Sequence, residues 1–426
     1  MAAAALVVVA SWGAAAQTPA AHKSHLPNGL RLIVQANEHT ATVVVSGFVR
    51  VTALHEIRAT VGIRQLTQML IARGDGFREL MGQAAVHAEV SVAPDYVELV
   101  LAAPAESLAD CAYLLRSMLF DPKLTEQALE LTRAQLIRQL AARQEVAVSL
   151  ALDRLLTRVY PGVGAGDSTG ADVTEVAAIG LEDVRRFHAA HYLPNATVIT
   201  VSGGVDEAAA TRIVRRAMQG LLPGAMPDEA PTPLAAAPAG TETRSIPGPT
   251  SVYVVGARAV ALDAPEYPAA AVGMAMLGSG MDSRLYRALR VDRALAYTIG
   301  AEMTPSAAVP SAFVLATCGP DGLDEVQRVV DAEIERTMRE PAGVEELRRA
   351  KRYLIGRQAL RRQRNREIAH WLGVFELLGG PQGYRRDAQL AGEIAAVDAR
   401  SVAGAMQQVF ETSWALRLDA SDAADG

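Results

Sequence analysis

The sequence predicts an α+β protein of two homologous halves, each a mixed, largely antiparallel sheet with helices packed on it. Three observations lead there. The order of strand-like and helix-like segments repeats on either side of the middle; a proline- and alanine-rich stretch separates the two; and Leu131-Thr132-Arg133-Ala134 is echoed by Leu347-Arg348-Arg349-Ala350 inside a second long amphipathic helix. At 426 residues, half of them apolar, the chain has material for more than one full core.

In the first half, Leu26-Pro27-Asn28-Gly29-Leu30 sets a tight Asn-Gly turn before a strand over Leu30 to Val34, and Thr42 to Val51 is rich in β-branched residues. In the second half Ser251 to Val255 plays the same part, followed by a helix from about Pro268 to Leu277 that stops at Gly278-Ser279-Gly280. Between them, Leu221 to Pro249 holds seven prolines with no helical or alternating pattern, which reads as a linker. The predicted organisation is a first domain over 25–220, the linker over 221–249 and a second domain over 250–418. Residues 1–16 are small and apolar, and Ala14-Ala15-Ala16 before Gln17 suits signal-peptide cleavage, although the first basic residue is Lys23. The expectation is export, to the periplasm, as a chain without a membrane span after cleavage.

The formal charge of −6, with both signs interleaved, offers no basic field for nucleic acid. Cys111 and Cys318 are far apart and sit in apolar segments, so they read as buried thiols rather than a zinc pair or a disulfide framework. His188 and His191, three apart before Tyr192-Leu193-Pro194, read as surface or helix-end histidines.

The segment Val61-Gly62-Ile63-Arg64-Gln65-Leu66-Thr67-Gln68-Met69-Leu70-Ile71-Ala72-Arg73-Gly74 resembles the metal helix of the insulinase and processing-peptidase family, the inverted zincins. There a Gly-apolar start, His-x-x-Glu-His, apolar residues, a basic residue and a Gly follow in this order. The frame is kept here and the chemistry is not. On that pattern the first His falls at Gln65, the general base at Gln68 and the second His at Met69. An amide cannot take a proton from metal-bound water, and a neutral amide oxygen with a thioether is a poor donor set for Zn²⁺. The third-ligand helix reads Arg133-Ala134-Gln135-Leu136-Ile137-Arg138-Gln139-Leu140, with the family's carboxylate positions at Arg138 and Gln139. No metal is expected in this chain.

A second resemblance is closer. Leu277-Gly278-Ser279-Gly280-Met281-Asp282-Ser283-Arg284-Leu285-Tyr286-Arg287-Ala288-Leu289-Arg290, then Val291 to Tyr297, is similar to the family's glycine-rich turn, Ser-Arg-Leu start and final Arg and Tyr. The resemblance implies that Arg290 and Tyr297 bind substrate and stabilise the tetrahedral intermediate. Val291 stands where an acidic residue is usual, and Ala294 where a Gly is usual. Relatives also bind substrate as an added strand, here over Gly82 to Val97 with His87, Ala88 and Glu89 at its start.

The resemblance, which spans about Leu26 to Leu416, implies half of a clam-shell chamber. It also implies a zinc-free subunit, inactive alone, that closes the chamber on a homologous zinc-bearing peptidase and supplies Arg290 and Tyr297 for hydrolysis of an unfolded peptide. The competing reading is a non-enzymatic binding or scaffold subunit of a complex. A relocated metal in an independent enzyme would need a new His and carboxylate cluster, and none stands at ligand spacing.

Overall fold

A computed structural model describes residues 20–56, 60–73, 81–161, 163, 173–227, 234–237, 239–380 and 382–421. The segment read as a signal peptide, 1–16, and Gly74 lie outside them.

The first half opens with β1 (His22–His25), β2 (Arg31–Ala36) and β3 (Thr42–Val49), then α1 (Ile63–Arg73). The Asn-Gly turn forms as the dipeptide predicts: Gly29 takes φ +83 and its N–H donates to Leu26 O at 3.0 Å. The hairpin β4 (His87–Val92) and β5 (Val97–Pro104) follows, then α2 (Leu108–Phe120), α3 (Glu126–Gln144), α4 (Ala147–Val159), α5 (Val173–Ala178) and α6 (Leu181–His191). Strand β6 (Thr197–Gly203) and α7 (Glu207–Ala217) complete this half.

The second half runs β7 (Gly240–Pro247), β8 (Ser251–Arg258), α8 (Tyr267–Gly278), β9 (Ala296–Thr304) and β10 (Ser311–Cys318). It ends with α9 (Leu323–Arg339), α10 (Val344–Arg361), α11 (Asn365–Leu378), α12 (Arg386–Ala396), α13 (Ala399–Phe410) and β11 (Ser413–Ser421).

Two mixed sheets result, ordered β1-β2-β6-β3-β5-β4 and β7-β11-β8-β10-β9. Without β1 the orders correspond strand for strand, and each sheet has one parallel pair at the same place, β2 with β6 and β7 with β11. The duplication read from the sequence is therefore a duplication of topology. Strand β7 corrects one detail, because Gly240–Pro247 lies inside the stretch read as a linker. It is an outer strand and mostly exposed, so it carries none of the apolar alternation that would have marked it.

The halves exchange helices. On β3, Val43, Val45 and Val49 face the first half's own core with Leu115 and Leu119 of α2, while Phe48 faces the other way into a core with Leu372 of α11. On the second sheet, Val252 and Val254 pack with Leu155 and Val159 of α4. Glycine permits both approaches. A Cβ at Gly373 would come 2.1 Å from Phe48 Cε2, and one at Gly256 would come 2.4 Å from Leu155 Cδ2.

Cys111 and Cys318 are free, buried thiols. Burial pushes the first up to about 12 and the second up to about 11, which suppresses the thiolate at neutral pH.

Gly373→Ala tests the exchanged packing. Ala ordinarily favours a helix over Gly by about 1 kcal/mol, whereas overlap with the Phe48 ring should reverse the sign and cost about 1 to 3 kcal/mol in a denaturant melt. A variant as stable as the wild type would show that α11 does not lie this close to β3.

Candidate functional site

Helix α1 keeps the frame of the metal helix in physical terms. Gly62, at φ +93, turns the chain into it, and the buried Glu56 carboxylate accepts from Gly62 N at 3.2 Å and Arg64 N at 3.0 Å. Burial raises the pKa of Glu56, against the pull of Arg64 and these two N–H groups. Arg64 is itself fully buried and donates to the Pro94 and Ala93 carbonyls.

The positions that would hold metal are occupied by other bonding. Gln65 and Met69 share one half-buried face, and Gln65 Nε2 lies 3.8 Å from Met69 Sδ. Gln68, at the general-base position, has no exposed surface. Its Nε2 donates to Glu98 O at 2.9 Å, and its Oε1 accepts from Tyr192 Oη at 3.0 Å. The amide satisfies both partners, whereas an ionised carboxylate would set oxygen against the Glu98 carbonyl. The side chain is a brace between α1, β5 and the end of α6. On α3, Arg138 and Gln139 are exposed, while Gln135 accepts from Arg73 of α1. These residues do not suit zinc.

The histidines of α6 are also built into packing. His188 Nε2 lies 2.9 Å from Leu119 O, and the ring stacks on Tyr192 at 4.6 Å. His191 packs against Phe187 and His55, with ring centroids 4.5 Å and 4.6 Å away. Burial, then the neighbouring His55, pulls the pKa of His191 down to about 4. His87 and Glu89 pair at 3.3 Å on β4, an outer strand of the first sheet; Arg366 reaches Glu89 from α11 at 3.6 Å. Ala88, between them, is half-buried.

The second half brings Arg290 and Tyr297 together. Arg284 anchors the approach, with Nε and Nη2 on the two oxygens of Glu346 at 2.5 Å and 2.9 Å and Nη1 on Thr337 Oγ1 at 3.0 Å. Residues Tyr286–Val291 then form a π-helical turn. The Arg290 guanidinium lies 4.6 Å over the ring of Tyr297 and donates through Nη1 to Tyr297 O at 3.1 Å. Tyr297 is 82 % exposed on the outer strand β9. Ala294 adopts φ +54, the left-handed conformation for which the usual Gly is suited.

Sequence reasoning missed the groups that α11 carries. Glu98, with no exposed surface, accepts from Arg366 at 3.1 Å and 3.3 Å and lies 2.8 Å from His370 Nδ1. Burial alone would raise the pKa of Glu98; the His370 hydrogen bond and charge, with Arg366, outweigh it and hold it low. Some 270 residues separate the partners, and no local pattern links them.

Two outcomes follow from this geometry. Ala294→Gly should stabilise the chain by up to about 1 kcal/mol in a thermal or denaturant melt, since it removes left-handed strain while adding unfolded-state freedom; a loss of stability would mean the loop is not strained. For His191 the folded pKa lies below the unfolded value, so the unfolded state binds the extra proton, and stability is full above about pH 6.5 and falls toward pH 4. His191→Phe should flatten the melting temperature over that window, and an unchanged pH slope would remove His191 as its source.

Residues 178–354, from the end of α5 into α10, match the family described as the peptidase M16 inactive domain. The match covers the Arg290 to Tyr297 segment and lies outside α1. An uncharacterised zinc protease of Streptomyces coelicolor is 24 % identical over 382 residues, covering 84 % of this chain and 81 % of that protein. Among solved structures, a peptidase M16 inactive domain from Pseudomonas fluorescens superposes with a TM-score of 0.86 at 16 % identity, covering 96 % of this chain and 99 % of that one. A chain of complex III2 from Candida albicans gives 0.76 at 16 %, covering 93 % and 95 %. Residues 178–354 thus carry the match to the peptidase M16 inactive domain, and the chain as a whole is similar to insulinase-type, M16 relatives and shares the fold of the solved M16 structures.

Proposed function

We propose that this chain is the zinc-free subunit of a heterodimeric metallopeptidase. It closes the chamber on a homologous subunit that holds Zn²⁺ and the general base, and it lends Arg290 and Tyr297 to the substrate there. The pairing of these two side chains carries the proposal. A tyrosine with a structural task would be covered, whereas Tyr297 stands 82 % exposed with a guanidinium stacked on its ring. Arg290 spends Nη1 on the Ala296 and Tyr297 carbonyls, which fixes the direction of a group with five N–H donors. A charge and a phenol held at one point suit an oxyanion developing on a peptide carbonyl.

The first half complements this. Gln68 is committed to Tyr192 and Glu98, so the water-activating chemistry has to come from another chain. Outer strand β4, with His87, Ala88 and Glu89, is the edge on which an extended peptide would add by main-chain pairing. The proposal places the pair in the periplasm, after removal of residues 1–16. A second reading, a non-enzymatic subunit of a larger assembly, is favoured by the similarity to a chain of complex III2.

The experiment is hydrolysis of a quenched fluorescent peptide by this chain, by a homologue with an intact His-x-x-Glu-His helix, and by the two mixed. The expected result is turnover that depends on the mixture and falls at least about tenfold with Arg290→Ala or Tyr297→Phe in this chain. Turnover by this chain alone would overturn the proposal. An inert mixture that still forms a stable complex would establish the scaffold reading instead.

A further inference from the structure

The second half contains a cavity of about 360 Å³ between α8, β9, α10, α11 and α12. In the duplicated topology α8 and α10 are the counterparts of α1 and α3, so the cavity lies against the second-half equivalents of the helices that carry the metal positions in the first half. Its walls are divided. Met274, Leu390 and Ile394 make one side apolar, while Arg357 and Arg361 of α10 make the other basic.

Neither arginine forms an ion pair with a carboxylate among the described residues, although Asp387 and Glu367 act on Arg361 from a distance. Of the carboxylates nearby, Asp387 pairs with Arg362 at 2.9 Å and Glu393 with Arg386 at 3.4 Å, while Glu302 lines the cavity on β9. Arg357 and Arg361 stand four residues apart on one helix, a spacing at which like charges repel. Arg361 is half-buried, with its guanidinium 4.3 Å over the Trp371 ring. Behind the lining, Arg361 Nε, Trp371 Nε1 and Gln358 Oε1 are buried without a hydrogen-bond partner. A site that concentrates two unpaired guanidinia and unsatisfied polar atoms beside an apolar wall is stabilised by an anion that carries apolar bulk.

We propose that this cavity takes the free C-terminal carboxylate of a short peptide with an apolar last side chain. Arg357 and Arg361 hold the carboxylate, and Met274, Leu390 and Ile394 receive the side chain. Strand β9 is the outer strand of its sheet and contributes Ala301 to Met303 to the same cavity, so its unpaired main-chain edge can align the residues before the terminus. Glu302 on this edge favours a single carboxylate over a dianionic phosphate. Binding of this kind requires no partner subunit, so it stands or falls separately from the shared active site.

The test is fluorescence anisotropy of a labelled hexapeptide ending in leucine, as free acid and as amide, against the full chain and its Arg357→Gln and Arg361→Met variants, with inorganic phosphate as competitor. The free acid should bind, and the amide and each variant should bind at least about tenfold more weakly. Equal binding of acid and amide, no binding of the acid in the millimolar range, undiminished binding by a folded Arg357→Gln chain, or phosphate binding more tightly than the acid would each overturn the proposal. Arg357 is exposed, so this variant decides the matter even if Arg361→Met fails to fold.

Discussion

Two carboxylates with no exposed surface, Glu98 and Glu376, fix helix α11 on a sheet from the other half of the chain. Glu98 belongs to β5 and receives Arg366 and His370 from α11; Glu376 belongs to α11 and receives Lys23 and Arg31 from β1 and β2. Each half thus gives the other a buried charge and takes one in return. A buried carboxylate left without its partners costs several kcal/mol, typically about 3 to 5, so the crossing of α11 and its register are strongly determined. Gln68 depends on this as well, since its amide is held by the carbonyl of Glu98. The cavity of the second half depends on it through His370 and Trp371, which stand on the same helix.

The exchange of α4 and α11 joins the two repeats through shared cores. A sheet with helices on one face leaves its other face apolar, and Phe48 on β3 and Val254 on β8 are the residues that would be exposed. Each repeat covers that face of the other. Neither half therefore has a complete core alone, and a cut through the stretch between α7 and β7 would separate two sheets that each lack a covering helix.

What the sequence could show divides along the same line. Strand β3, the Asn-Gly turn and helix α8 were readable because their signals are local: β-branched runs, a dipeptide that takes φ > 0, an apolar helix ended by glycines. The metal frame was readable because Gly62, Gln65, Gln68, Met69 and Arg73 keep their spacing when the chemistry has changed. The buried cluster of Glu98, Arg366 and His370 was not, because a carboxylate in β5 looks like any alternating polar residue until its partners on α11 are placed. Gln68 was recognised as an unsuitable base; that it serves as a two-sided brace became visible only with Tyr192 at one end and Glu98 at the other.

The duplication gives the molecule two places of the same kind, and they have gone different ways. Against α1 the polar positions are filled by bonds within the protein: the Gln65 and Met69 contact, the Gln68 brace, and the link from Arg73 to α3. Against α8 the corresponding face is small and apolar, with Ala271 and Met274, and the cations on α10 remain unpaired over open volume. A site whose hydrogen-bonding groups already satisfy one another gains little from a ligand, because binding would only exchange one set of bonds for another. A site with unpaired guanidinia and uncovered apolar surface gains from both terms. On the proposed readings, the side chains left available for recognition in the second half are Arg290 with Tyr297 and those of the cavity beside α10, while the first half offers the edge of β4 and packing already satisfied within the protein.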